Sequence, residues 1–283
     1  MGTLLTAPSS RAVVGVPAPQ LRPHIIRYIG YLQAGFPPGL HSGLPSSYMT
    51  LMINLGPPIE VASSPDPRQP ATSLQAMLFG LNTRSVVFKH GGNGLGISVD
   101  LNPLAARTVL GLPAGEVMNT VVHLDDIPGL EGKFLVERLH AASSWAYRFA
   151  VLDEHLTALL DDRAPAPAAE VRYAWQRLTT DPPVTDVADL AREVGWSRRY
   201  LTRRFHQEAG VPPRQLRRIV RLERSSALIG ARNSLTRAAI ASLSGYYDQA
   251  HMLREWQILA GCTPSQWLTE PMPSVTYGNA VPS

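Results

Sequence analysis

Cysteine is nearly absent from this sequence. Of 283 residues only Cys262 carries a thiol, which excludes an intramolecular disulfide framework and a cysteine-rich zinc site. No apolar run reaches the ~18 uncharged residues of a membrane-spanning helix. The first residues also lack the charged start and apolar core of a secretion signal. A cytoplasmic protein with no membrane partner is expected. His24, His41, His90 and His123 stand far apart, with no HxH pair among them. Each therefore reads as a surface or packing histidine, and no metal ligand set is assembled. Neither a Ser/His/Asp set nor a carboxylate pair can be put together, so no catalytic residue and no cofactor are expected. His90 to Gly96, HGGNGLG, is glycine-rich, but no helix follows it and no Lys-Ser or Lys-Thr closes it. A hairpin turn accounts for it better than a phosphate loop.

Lysine is missing from the C-terminal part. Residues 168–270 hold 15 Arg and no Lys against 10 acidic residues, whereas residues 1–167 hold 11 basic and 12 acidic ones. The net charge of +4 therefore resides in the C-terminal part. Arginine is the side chain that grips phosphate and guanine in bidentate fashion, although an arginine-rich composition alone gives the same surplus. The length predicts two domains, each able to bury its own core.

Thr185 to Gly210, TDVADLAREVGWSRRYLTRRFHQEAG, reads as helix, turn, helix. Val187, Leu190, Ala191 and Val194 recur with the helical period, and Gly195 tolerates the left-handed conformation that ends a helix. Trp196 packs the corner. Ser197 can cap the next helix, on which Leu201 and Phe205 point one way and Arg199, Thr202, Arg203 and His206 the other. One face is core; the other offers donors to base edges in a major groove. An ordinary surface helix pair has the same outline.

A second copy follows in LTRAAIASLSGYYDQAHMLREWQILAGCTP. Gly195 and Trp196 match Gly245 and Tyr246 at an offset of 50, and Phe205, Gly210 and Pro213 match Trp256, Gly261 and Pro264 at 51. Such a repeat implies two similar units. Pro213 to Ala231 between them reads as one helix, whose nineteen residues span roughly 28 Å, close to the ~34 Å between successive major-groove faces. On these residues, with Gly245–His251 matching GYxDQxH and Gly261–Trp267 matching GxTPxxW, the chain resembles the AraC/XylS family of transcription regulators. The resemblance covers residues 168–270 and implies a double helix-turn-helix DNA-binding domain. Cys262 lies inside the second signature and reads as a small buried residue. Arg237 departs from the family, which has an apolar residue eight before the turn glycine, so the start of that helix is the uncertain part of the match. Asp248 is the expected cap of the second reading helix, which turns Ala250, Leu253, Arg254 and Gln257 to the groove, with Gln249 at its N-terminus near phosphate.

The first 20 or so residues, rich in Pro, Ala and Ser, are expected to be loosely held. Short apolar or alternating runs follow between Ile25 and Val122: HIIRYIGYL, SYMTLMINLG, IEVAS, AMLFGL, RSVVFKH and GLGISVDL. Pro and Gly clusters separate them, the pattern of an antiparallel sandwich or barrel. The resemblance implies a cupin-like barrel here that binds an effector or mediates dimerisation. Asp125 and Asp126 can cap a turn, and helices are expected over Leu130–Ala142 and Ser144–Asp161. On the second, Trp145, Phe149, Leu152, Leu156 and Leu159 recur at four-three spacing, either a homodimer seam or packing on the domain's own sheet. Glu170 to Leu178 opens the second domain, and Asp181-Pro182-Pro183 ends that helix.

The expected fold is α+β. An N-terminal β-rich domain with trailing helices spans 1–160, a Pro-Ala linker 161–168, an all-α double helix-turn-helix domain 169–270 and a disordered tail 271–283. The expected function is that of a sequence-specific DNA-binding transcription regulator, with double-stranded DNA as partner. A small-molecule effector, a second copy of the chain and, for an activator, RNA polymerase are the further candidate partners. Arg199, Thr202, Arg203 and Arg254 are the expected base readers, and Arg198 and Gln249 the backbone contacts. Gly195, Trp196, Ser197, Gly245, Tyr246 and Asp248 build the motifs. The alternative is a cupin-type enzyme or binder fused to a DNA-targeting module.

Overall fold

The computed structural model describes residues 7–180, 186–231, 234–270, 272 and 280–282. Its N-terminal part is built from strands β1 Ser9–Gly15, β2 Ile25–Ala34, β3 Gly39–Gly43, β4 Met49–Asn54, β5 Ile59–Ser63, β6 Thr72–Leu74, β7 Ala76–Phe79, β8 Val86–His90, β9 Gly94–Leu101 and β10 Val121–His123. A short helix α1, Ala106–Leu110, follows β9; α2, Gly132–Ala141, and α3, Trp145–Ala158, follow β10. The strands form two sheets, one in the order β10-β7-β4-β9-β2-β1 and one in the order β3-β8-β5-β6. A further strand β11, Ala280–Pro282, pairs in parallel with β1.

Strict alternation along the strands decides what each face touches. From β4, Met49, Leu51 and Ile53 join the core under the helices, as do Ala76 and Leu78 of β7 and Ile97, Val99 and Leu101 of β9. The intervening residues point to the other sheet. Met77 and Phe79 meet Val61 and Val86 there, and Thr50, Asn54 and Ser98 line a cavity between the sheets. The runs read as strands in the sequence are β2, β4, β5, β7, β8 and β9.

The opening segment is not loose throughout. β1 pairs antiparallel with β2 from Ser9 opposite Ala34 to Gly15 opposite Tyr28. HGGNGLG is not a hairpin either, because β8 and β9 lie in different sheets and these residues carry the chain across. Gly92 is fixed there at φ +93°, where a Cβ would meet the Phe36 carbonyl oxygen, and Phe36 N donates to Gly92 O at 3.1 Å.

The four-three stripe on α3 packs on the chain's own sheet, which corrects the reading as a dimer seam. Leu152 and Leu156 are fully buried, and Trp145, Phe149 and Leu159 pack against the same core. Two strand glycines make the fit. A Cβ on Gly30 would strike the Trp145 ring, and one on Gly15 the Phe149 ring. Phe149 stacks on Tyr28 at 5.7 Å, and Tyr28 Oη donates to Asp153 Oδ1 at 2.9 Å. These contacts are made inside one chain and account for the spacing without a second copy.

The C-terminal part is helical: α4 Ala169–Thr179, α5 Val187–Glu193, α6 Arg198–Ala209, α7 Pro213–Gly230, α8 Arg237–Leu243, α9 Gln249–Leu259 and α10 Pro264–Leu268. Asp181-Pro182-Pro183 lies outside the described residues, as does most of the tail expected to be disordered. Met272 is buried. Val171, Ala174, Leu190, Phe205, Leu216 and Val220 continue the core of the N-terminal part, whereas Leu222, Ile240, Met252, Trp256 and Trp267 form a second cluster. Helix α7 thus contributes to both. Leu222 is buried, whereas Ala227 near the end of the helix is exposed.

Leu152→Ala is expected to lower stability by about 2–5 kcal/mol, as emptying a filled core site does. Urea unfolding would measure the loss, and sedimentation should show an unchanged oligomeric state. A variant of full stability and altered association would restore the seam.

Candidate nucleic-acid interface and inter-sheet cavity

Helices α5 and α6 are joined by a turn whose geometry follows from three residues. Gly195 takes φ +70°, Trp196 N donates back to Ala191 O at 2.9 Å, and Ser197 Oγ caps α6 by accepting from Tyr200 N at 3.2 Å. Leu201, Phe205 and Ala209 are buried, and Phe205 stacks on Trp175 of α4 at 5.9 Å. That burial fixes which face is left outside. Arg198, Arg199, Thr202, Arg203 and His206 line one shallow surface depression together with Pro212. All of them except the partly buried Thr202 and Pro212 are exposed. Trp196 packs edge-on to Tyr200 at 4.8 Å, and the Arg203 guanidinium lies 5.2 Å over the Tyr200 ring. The aromatic thus holds a long, flexible cation over the face.

The second motif repeats the construction. Gly245 takes φ +82°, and Tyr246 N donates to Ala241 O at 2.9 Å. Asp248 caps α9, Oδ1 accepting from His251 N at 2.6 Å. The departure at Arg237 is settled by Thr236, whose hydroxyl caps α8 at Ala239 N and leaves Arg237 exposed in the first turn. Trp256 is fully buried and donates Nε1 to Ser225 Oγ of α7 at 2.9 Å. Gln249, Ala250, Arg254 and Gln257 are exposed, Gln257 donating to Gly261 O at 3.0 Å, while Leu253 is half-buried. The two faces differ in chemistry: the first carries several cations, the second mainly Arg254.

Three arginines of α7 are committed to partners within the chain. Arg218 Nε and Arg221 Nη2 each donate to the buried Glu255 of α9 at 2.8 Å, and Arg224 donates to Thr180 O at 2.7 Å. Burial works to raise the Glu255 carboxyl, but the hydrogen bonds and charges of Arg221 and Arg218 outweigh it and hold it below the usual carboxylate range. This pair of ion bridges pins the second reading helix to the connecting helix. Sequence reasoning missed it, although an acid inside the Met252-Trp256-Leu259 stripe is the local signal.

Between the two sheets lies a cavity of about 500 Å³. Its wall combines Tyr31 and Gln33 of β2, Thr50, Met52 and Asn54 of β4, Ser98 of β9, Phe79, Asn82 and Phe88. His41 and His90, far apart in sequence, both line it because β3 pairs with β8. Among the described residues no carboxylate lines it, and Lys89 is its charged group. That mixture of ring, methyl and amide groups with one ammonium suits a small amphipathic molecule. Cys262 is half-buried, and burial pushes its thiol up to about 11.

The boundary between sheets and helices is polar as well as apolar. Glu223 of α7 accepts from Ser47 N at 2.9 Å, and Glu270, after α10, accepts from Ser42 N at 3.0 Å. Ser85 N donates to Leu259 O at the end of α9 at 2.9 Å. Burial pushes the Glu223 carboxyl up to about 7, against the pull of the Ser47 amide.

Residues 190–270 match a helix-turn-helix domain family, and residues 15–123 match a domain of unknown function, DUF6597. No curated protein matches the sequence. Among solved structures, an apo point variant of ToxT from Vibrio cholerae aligns over 94% of this chain and 98% of its own with 11% identity and TM-score 0.51. That likeness is one of fold, and it spans both parts of the chain. Wild-type ToxT with a bound unsaturated fatty acid aligns over 95% and 97% at 10% identity and TM-score 0.47. The C-terminal domain of AraT, a response regulator from Geobacillus stearothermophilus, covers 39% of this chain and 93% of its own at 23% identity and TM-score 0.35.

Glu255→Ala leaves two guanidiniums without their carboxylate, and removing one partner of a buried pair costs about 3–5 kcal/mol. In the parent protein the lowered Glu255 carboxyl contributes fully above the ordinary carboxylate range and loses its contribution as pH falls through the depressed value. Urea unfolding from pH 7 down to 3 should show that acid loss in the parent and little of it in Glu255→Ala. Equal acid sensitivity in both would remove Glu255 from the account.

Proposed function

The C-terminal domain of this chain belongs to the AraC/XylS family of DNA-binding transcription regulators, and on that premise we propose that the protein reads a specific DNA site with two helix-turn-helix motifs in adjacent major grooves. Arg199, Thr202 and Arg203 contact base edges in one groove and Arg254 in the next, while Arg198 and Gln249 hold the backbone. The observation that carries this reading is the double use of one construction. In both motifs a left-handed glycine and a side-chain cap bury an aromatic and turn a polar face outward. The proposed division is a sensing domain over 1–160, a linker over 161–168 and a DNA-binding domain over 169–270. An effector held in the inter-sheet cavity controls how the DNA-binding domain is presented.

The two motifs contribute unequally to sequence choice. A bidentate arginine on guanine is worth about 1–3 kcal/mol of discrimination, and the first face has more candidates for it. Ala250 and Leu253 of the second can only touch thymine methyls or exclude water. Binding-site selection on randomised duplexes should therefore yield a sharper half-site under the first motif. Arg203→Ala should relax base preference there. Arg198→Ala should weaken binding on all sequences alike and reduce the salt slope by about 1, and Gln249→Ala should weaken binding uniformly. A sharper half-site under the second motif, or intact base preference in Arg203→Ala, would overturn this assignment of roles.

A further inference from the structure

His41 to Tyr48 runs from the end of β3 to the start of β4 and faces two things at once. On one side His41, Gly43, Leu44, Ser46 and Tyr48 line the inter-sheet cavity. On the other, the backbone N–H groups of the intervening Ser42 and Ser47 donate to Glu270 and Glu223 of the helical part. His41 adds to the first clasp, its Nδ1 lying 2.9 Å from Glu270 Oε2. Leu44 packs against the cluster formed by Trp256 and Trp267. From this interleaving we infer that residues 41–48 are the strap through which occupancy of the cavity reaches the DNA-binding domain: a molecule that fills the cavity shifts the strap and releases Glu223 and Glu270.

The strap has little freedom to move on one side without the other. Its cavity-facing and clasped residues share one short backbone, and each clasp is a hydrogen bond from a main-chain amide, which cannot follow a rotamer change. At its far end Tyr48 receives a 3.5 Å contact from Arg27 Nη2. Arg27 donates to the buried Asp100 at 2.6 Å, and Ser98 of the cavity wall donates to Asp100 at 3.3 Å. The cavity wall and the strap are thus joined by a polar chain that leads back to β2 and β9. Glu223 is equally well placed to pass the shift on. It follows Leu222, which is buried in the core of the second motif, and Arg221, which holds Glu255 of the second reading helix. Releasing it loosens the segment of α7 that sets one motif relative to the other.

The inference rests on the cavity being the effector site, but its test does not need DNA. Amide hydrogen exchange of the full chain is measured for the parent, for the cavity-filling variants Thr50→Phe and Met52→Trp, for Glu223→Ala with Glu270→Ala, and for each filling variant combined with that pair. Filling the cavity is expected to speed exchange in residues 41–48 and in 219–226 of α7 by about tenfold or more, the scale of leaving a buried hydrogen-bond partner unsatisfied. Removing both clasps should do the same, and combining the two should add nothing. Saturation of the parent with 8-anilinonaphthalene-1-sulfonate, used as a cavity probe, gives a second occupant that requires no substitution and should raise exchange in the same two segments. Filled or probe-saturated protein with unchanged exchange in α7 would overturn the inference, as would effects of filling and clasp removal that simply add. Either result would leave the base-reading assignment untouched, since that is decided on DNA.

Discussion

Helix α7 is the constraint on which the placement of both helical motifs depends. Its three faces are used at once. Leu216 and Val220 belong to the core shared with the N-terminal part, Leu222 to the core of the second motif, and Glu223 reaches across to the Ser47 amide. Arg218 and Arg221 complete the arrangement by holding Glu255. A single rigid helix thus sets the placement of both reading helices, with no separate contact between the motifs needed to do it. Because the constraint is a helix and not a loop, a shift imposed anywhere along it is shared along its length.

The first motif is the more deeply embedded of the two. Phe205 and Leu201 lie in the same core as the strands, and a Cβ on Gly210 would meet the backbone of Gly115 in the N-terminal part. The second motif keeps a core of its own and meets the N-terminal part through Leu44, which packs on that core, through Ser85, which donates to the end of α9, and through Glu270 beyond α10. Displacing the first motif would open the shared core, whereas displacing the second would not.

Much of this was legible in the sequence because its causes are local. The alternation in β4 and β9, the left-handed glycines at 195 and 245, and the Ser197 and Asp248 caps all act within a few residues of themselves. The four-three stripe on α3 was ambiguous for a physical reason. A helix that covers a sheet and one that pairs with a copy of itself need the same spacing, and the deciding residues, Gly15 and Gly30, lie more than a hundred positions away. The clasps were invisible on the same grounds, Glu223 meeting a main-chain amide 176 positions earlier. The edge strand β6 is three residues long and β3, GLHSG, holds a single large apolar residue, so neither shows a period. HGGNGLG misled because glycine density marks a sharp backbone requirement without saying whether the chain turns back or crosses to another sheet.

The central claim is that two motifs held by one helix engage successive major grooves on one side of the duplex. Hydroxyl-radical footprinting on a selected site tests it most directly. Two protected windows centred about 10 base pairs apart on one face are expected. A single window, or two windows on opposite faces, would contradict it.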